Sequence, residues 1–294
     1  VTALRGPIVC GVDFSAGSRR ALVRAHALAR QLGLPLTVVS AIDPLLAEAA
    51  IARFGPGQFA GRATRDLQAF IEEAVGKTKA EGPTTSAATP VGNAAKELLE
   101  AGDAAGASMI VVGTEGLGRT RRFMFGSTTL RVIRAAERPV LAVPPPGDGA
   151  DASDASARSF TQILCGVDFG DPSIAAARAA VDLGRALDVP VQLLNAVAGL
   201  TLPSIWDIML APGDEARAAA AREKLRALAA TLGTPAPAVA AEVGEADDVF
   251  GREVVRGGTA LVVLGLGDAA GHRPGSTALR IMAETRVPVL VVPT

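Results

Sequence analysis

The chain contains itself twice. Ile8-Val-Cys-Gly-Val-Asp-Phe14 returns as Ile163-Leu-Cys-Gly-Val-Asp-Phe169, an offset of 155 residues. Val111-Val112-Gly113 returns as Val263-Leu264-Gly265 at 152, and Gly126-Ser127-Thr128 as Gly275-Ser276-Thr277 at 149. A repeat this long is a duplicated domain, not a solenoid unit. The offset falls by three twice, so the second copy has two short deletions, one of them between Gly265 and Gly275. A length of 294 residues suits two domains, expected at 1–146 and 160–294. Pro144 to Ser159 is built of proline, glycine, alanine, serine and aspartate, with Arg158 its only basic residue. Residues 147–159 of it are expected to form a linker.

Each copy alternates strand-like and helix-like segments. Ile8–Val12 reads as a strand ending at Asp13, and Ser15 or Ser18 can cap the helix that follows. Ala21, Leu22, Ala25, Leu28, Ala29 and Leu32 recur on one face of that helix, until Gly33 and Pro35 stop it. Leu36–Ala41 is the second strand. A glycine- and proline-bearing loop is expected over Asp43–Gly61, then a helix with Leu67, Phe70, Ile71, Ala74 and Val75 on its apolar face. Thr84–Val91 is a third strand, and Ala94, Ala95, Leu98 and Leu99 mark a third helix. Met109–Val112, a helix opening near Ser127, and Val140–Val143 complete the copy. The second copy is expected to place strands at Ile163–Val167, Val191–Val197, Ala238–Val243, Leu261–Leu264 and Val289–Val292. Its helices are expected at Ser173–Leu187, Asp214–Leu232, Ala246–Arg256 and Ser276–Glu284. Such alternation predicts an α/β fold, with a five-stranded, mainly parallel sheet flanked by helices in each domain. Ligands of such sheets lie beyond the carboxyl ends of the strands, at the topological switch point. Asp13, Ala41 and Gly113 all fall at strand ends.

The segment after the fourth strand favours an anion. Gly113 and Gly116 break the strand, Arg119, Arg121 and Arg122 follow, and Gly126-Ser127-Thr128 opens a helix. Glycine admits a ligand close to the backbone. The orphan N–H groups of the helix start, with the positive end of its dipole behind them, suit a phosphate chain. The spacing Gly-x-x-Gly, nine residues, Gly-Ser resembles the ATP-binding motif of the universal stress protein family. The resemblance implies two tandem Rossmann-like domains of the adenine nucleotide α-hydrolase-like kind, and ATP, with or without Mg²⁺, in the first. It puts Gly113, Gly116, Gly126, Ser127 and Thr128 at the phosphates. It also puts Asp13 beside the nucleotide and Ala41 at the adenine, through its backbone. The second-copy equivalents are Asp168, Ala196, Gly265, Gly275 and Ser276. There the motif departs from the pattern: Asp268 replaces Gly116 and the spacer is three residues shorter. Two unit charges about 4 Å apart at an effective dielectric of about 20 repel by roughly 4 kcal/mol, so triphosphate binding is expected in the first copy alone. Glu115 stands between the first two glycines of the first loop, where a carboxylate opposes phosphate unless it turns away or meets a metal.

Other chemistry finds little support. Gly76-Lys77-Thr78 lacks the leading glycine of a phosphate-loop ATPase, and Gly265-Leu-Gly follows the wrong strand for a dinucleotide fingerprint. His26 reads as a helix-face residue and His272 as part of the degenerate loop; no metal site and no nucleophile–base–acid set is expected. The net charge of −1 offers no field for nucleic acid. No run nears the roughly 18 apolar residues that span a membrane. Cys10 and Cys165, each inside a strand, read as reduced thiols of a cytoplasmic protein. Three readings stand: a nucleotide-binding stress regulator with no catalytic residue, a slow ATPase or phosphotransferase using Asp13 as a metal ligand, and a module for an unknown protein partner that has lost nucleotide. The family resemblance implies pairing through final strands, giving a pseudo-dimer within the chain or a homodimer. Val140–Val143 and Val289–Val292 end their domains with no helix after them, and pairing removes an exposed apolar edge. Amide exchange at both segments is then expected to be as slow as in central strands; fast exchange at both would leave them open edges.

Overall fold

A computed structural model of the chain describes residues 4–76, 82–115, 126–145, 159–199, 213–257, 260–267, 276–284 and 287–293, with the backbone alone for Ala260, Ser276 and Thr277. The chain divides into two compact units, Thr2–Ser159 and Phe160–Val292. The expected linker falls almost wholly outside the described residues, as do Gly116, Asp268, His272 and Gly275.

The first unit holds strands β1 (Ile8–Gly11), β2 (Leu36–Val39), β3 (Thr85–Ala88), β4 (Met109–Gly113) and β5 (Val140–Val143). Its described helices are α1 (Ala16–Leu32), α2 (Pro44–Phe54), α3 (Pro56–Val75), α4 (Ala94–Ala104) and α5 (Ser127–Ala135). The strands lie in the order β3-β2-β1-β4-β5, every pair parallel. The second unit repeats the plan with β6 (Gln162–Gly166), β7 (Val191–Val197), β8 (Ala238–Val243), β9 (Ala260–Gly265) and β10 (Val289–Val292), in the order β8-β7-β6-β9-β10. Its helices are α6 (Asp171–Leu187), α7 (Asp214–Thr231), α8 (Ala246–Gly257) and α9 (Ser276–Glu284). The strands of each unit thus follow the doubly wound parallel order, with the switch point between β1 and β4 in the first and between β6 and β9 in the second.

Central strands are apolar on both faces because helices cover both. Ile8, Val9 and Cys10 are fully buried, as are Ile163, Leu164 and Cys165. Helix α1 buries Ala21, Leu22, Ala25, Leu28 and Ala29, the face its spacing predicts. Ser15 caps it, accepting from the Ser18 N–H at 3.1 Å, and Gly33 closes it in the left-handed region.

One stretch differs from its reading. Asp43–Gly61 is not a loop but holds α2 and the start of α3. Its prolines are helix starts: Asp43 accepts from the N–H groups of Leu45 and Leu46 while Pro44 takes the first turn, and Pro56 opens α3 after Gly55, which adds no side-chain cap. Proline's missing N–H costs nothing there.

Two glycines set the sheet against α1 at the switch point. A Cβ on Gly113 would lie 2.7 Å from the Gly17 carbonyl oxygen, and one on Gly17 would lie 2.3 Å from that of Glu115. The first turn of α1 therefore touches the end of β4 backbone to backbone. Gly17→Ala is expected to destabilise by about 1–3 kcal/mol, against a helix propensity that alone favours alanine by about 1 kcal/mol. Gly57→Ala, with open space around it among the described residues, should be neutral or stabilising. Urea unfolding midpoints check both; a Gly17→Ala protein as stable as the parent would contradict the contact.

Candidate functional site

The chain leaves β1 through Val12, whose N–H donates to the Val39 carbonyl at 2.9 Å. Asp13 then turns it. Its Oδ1 accepts from the Ser15 N–H at 3.0 Å, and its own N–H donates to Ser18 Oγ at 3.2 Å. Asp13 therefore holds the turn before α1, while Ser15 is the cap; its carboxylate is exposed at the mouth of the switch point. Phe14 follows at a φ of 62°, an uncommon conformation for a non-glycine residue. Its ring and that of Phe70 form a T-shaped pair with centroids 5.1 Å apart, and the Arg19 guanidinium lies over Phe70 at 4.8 Å.

Across the switch point, β4 ends in a fixed stem. The Thr114 N–H donates to the Val143 carbonyl, and the Gly126 N–H donates to the Thr114 carbonyl, both at 3.0 Å. Thr129 Oγ1 donates to the Gly113 carbonyl at 2.7 Å. Residues 113–115 are thereby tied to β5, to the start of α5 and to α1. Gly126 is the N-cap of α5 and supplies no side-chain acceptor. The first N–H groups of α5 thus lack a side-chain cap, and Ser127 beside them is exposed. An uncapped helix start leaves N–H donors and the positive end of its dipole open to an anion.

Ala41 lies just past the end of β2, at the same end of the sheet. Ser40 and Ile42 donate to Ala88 and Pro90, on the β3 side. Alternation along a strand turns the Ala41 N–H and C=O the other way, toward β1, which has by then ended.

Glu115 forms an ion pair. Its Oε2 lies 2.8 Å from Arg20 Nη2, and the Arg20 side chain is 11% exposed against 55% for Glu115. The structure thus brings Asp13, Ala41, Gly113, Gly126, Ser127 and Thr128 around one end of the sheet. The reading of the sequence missed Gly17, Arg20 and Thr129, and offered Ser18 only as an alternative helix cap, whereas its Oγ accepts from the Asp13 N–H. It also credited Gly113 to a ligand, whereas packing against Gly17 already requires it. Gly265 makes the same point: a Cβ there would lie 2.3 Å from the Pro172 carbonyl oxygen.

The second unit keeps the frame. Asp168 Oδ1 accepts from the Gly170 N–H at 2.9 Å, and the Asp168 N–H donates to Ser173 Oγ at 3.2 Å. Ala196 lies in β7, paired with Glu242. Asn195 Nδ2 donates to the Val167 carbonyl at 2.7 Å. Gly275 lies outside the described residues, and of Ser276 only the backbone is described, at the start of α9.

Burial pushes the thiols of Cys10 and Cys165 well above the ordinary range, so neither is a nucleophile near neutral pH. Burial, then the nearby Arg30, lowers the pKa of the half-buried His26. No described helix is long and apolar enough to cross a membrane.

Comparison with solved structures finds the same fold over the whole chain. A universal stress protein from Archaeoglobus fulgidus matches at 18% identity and a TM-score of 0.68, covering 98% of each chain. A functionally unknown protein from Pseudomonas aeruginosa matches at 16% and 0.63, covering 99% of this chain and 93% of its own. A universal stress protein in complex with cAMP covers 48% of this chain and 98% of its own, at 23% identity and a TM-score of 0.36. No curated protein matches the chain. The family model for the universal stress protein family matches twice, over residues 5–144 and 159–293, so the chain belongs to that family and is a tandem member of it.

Proposed function

We propose that the first unit binds ATP at the switch point and that the chain acts as a nucleotide-dependent regulator in the stress response. The observation that carries this reading is the uncapped start of α5 held against the fixed 113–115 stem. Gly113, Gly116, Gly126, Ser127 and Thr128 would hold the phosphates, with Asp13 at the ribose and the Ala41 backbone at the adenine. The chain supplies binding and orientation. With His26 on a helix face and both thiols buried, neither offers a base at the switch point among the described residues, which favours a binder over an efficient ATPase. The buried, unpaired Cys10 and Cys165 suit a reducing compartment, so we place the protein in the cytoplasm.

The second unit would bind no triphosphate, because its loop is three residues shorter and Asp268 stands where the first has Gly116. Isothermal titration of the intact chain is expected to show one ATP site. Gly126→Val sets a branched side chain against the phosphates and should abolish that site while far-ultraviolet circular dichroism stays unchanged. Two equivalent sites in the parent, or parental affinity in Gly126→Val, would contradict the proposal.

A further inference from the structure

The stem carries a negative charge that a phosphate site has to neutralise. Glu115 follows Thr114, whose carbonyl accepts from the Gly126 N–H, so its carboxylate is rooted beside the start of α5. It cannot drift far, because the Glu115 carbonyl is packed on Gly17 of α1. Arg20 lies one turn further along the same helix and takes the carboxylate at 2.8 Å. The guanidinium is largely buried, its Nε has no hydrogen-bond partner among the described residues, and Glu115 is the only ion-pair partner recorded for it there.

The duplication supplies a second observation. The residue equivalent to Glu115 is Gly267, by the offset of 152 that relates Gly113 to Gly265. The residue equivalent to Arg20 is Ala175, by the offset of 155 that relates Ser18 to Ser173. The helix-to-strand contact persists in both units, through Gly17 and Gly113 in one and Pro172 and Gly265 in the other. Both members of the ion pair differ between the units, although the packing that would make them purely structural is retained.

We propose that Arg20 is a positioning residue that sets the phosphate selectivity of the first unit: it turns the Glu115 carboxylate out of the cradle and cancels its charge. This rests on the nucleotide reading above. Without Arg20, the free carboxylate faces the phosphates, and its repulsion grows with their number and charge. ATP then suffers more than AMP, whose single phosphate carries less charge.

The test is a double-mutant cycle read by titration with ATP and with AMP at one fixed salt concentration. Arg20→Gln is expected to weaken ATP by about tenfold and AMP by clearly less. Glu115→Gln should bind ATP at least as tightly as the parent. The double variant should return to within about threefold of the parent, which a lost packing contact could not achieve. Should Arg20→Gln not fold, Glu115→Asp keeps the charge in the stem with a shorter reach, and is expected to weaken ATP selectively in the same way. Equal losses for ATP and AMP, or a double variant as weak as Arg20→Gln, would overturn the proposal. A parent that binds neither nucleotide would remove the nucleotide reading, and this one with it.

Discussion

The close approach of two backbones underlies the rest of this architecture. The first turn of α1 rests on the end of β4 with no side chain between them, because Gly17 and Gly113 both lack a Cβ. That contact fixes the 113–115 stem, and the stem fixes where α5 begins, through Thr114 to Gly126 and Thr129 to Gly113. A helix start is useful to an anion only if it is held, since a mobile one loses entropy on binding. The 113–115 stem and the start of α5 are therefore held by contacts within the chain itself.

The two units show which parts of that frame are shared. Asp13 and Asp168 hold the same turn, with Ser18 and Ser173 behind them and Phe14 and Phe169 both at positive φ. The differences collect in the charges around it. Arg20 and Glu115 in one unit correspond to Ala175 and Gly267 in the other, and Asp268 stands for Gly116. Duplication preserved the scaffold and let its electrostatics diverge, as expected when fold and site answer to different constraints.

Much of the fold was legible in the sequence. The repeat and the buried apolar runs at Ile8, Met109 and Ile163 depend on burial alone, which periodicity reports directly. Helix α2 and the start of α3 were not legible, because Pro44, Gly55 and Pro56 punctuate loops and helix starts alike. The cap acceptor Asp43 was the available clue. At the site, strand ends located Asp13, Ala41 and Gly113, while Ser127 stood at a recognisable helix start. Arg20 gave no signal of its own, since its partner is 95 residues away and only the folded chain brings them together. Gly113 shows the opposite case: a glycine can satisfy a motif and a packing contact at once, and sequence shows only the first.

Hydrogen exchange on the intact chain, with and without ATP, tests the central claim most directly. If ATP sits on the stem of the first unit, amides of Gly113–Glu115 and Ser127–Leu130 gain protection, while those of Gly265–Gly267 and Ser276–Arg280 do not change. Equal protection in both units, or none in the first, would contradict the account.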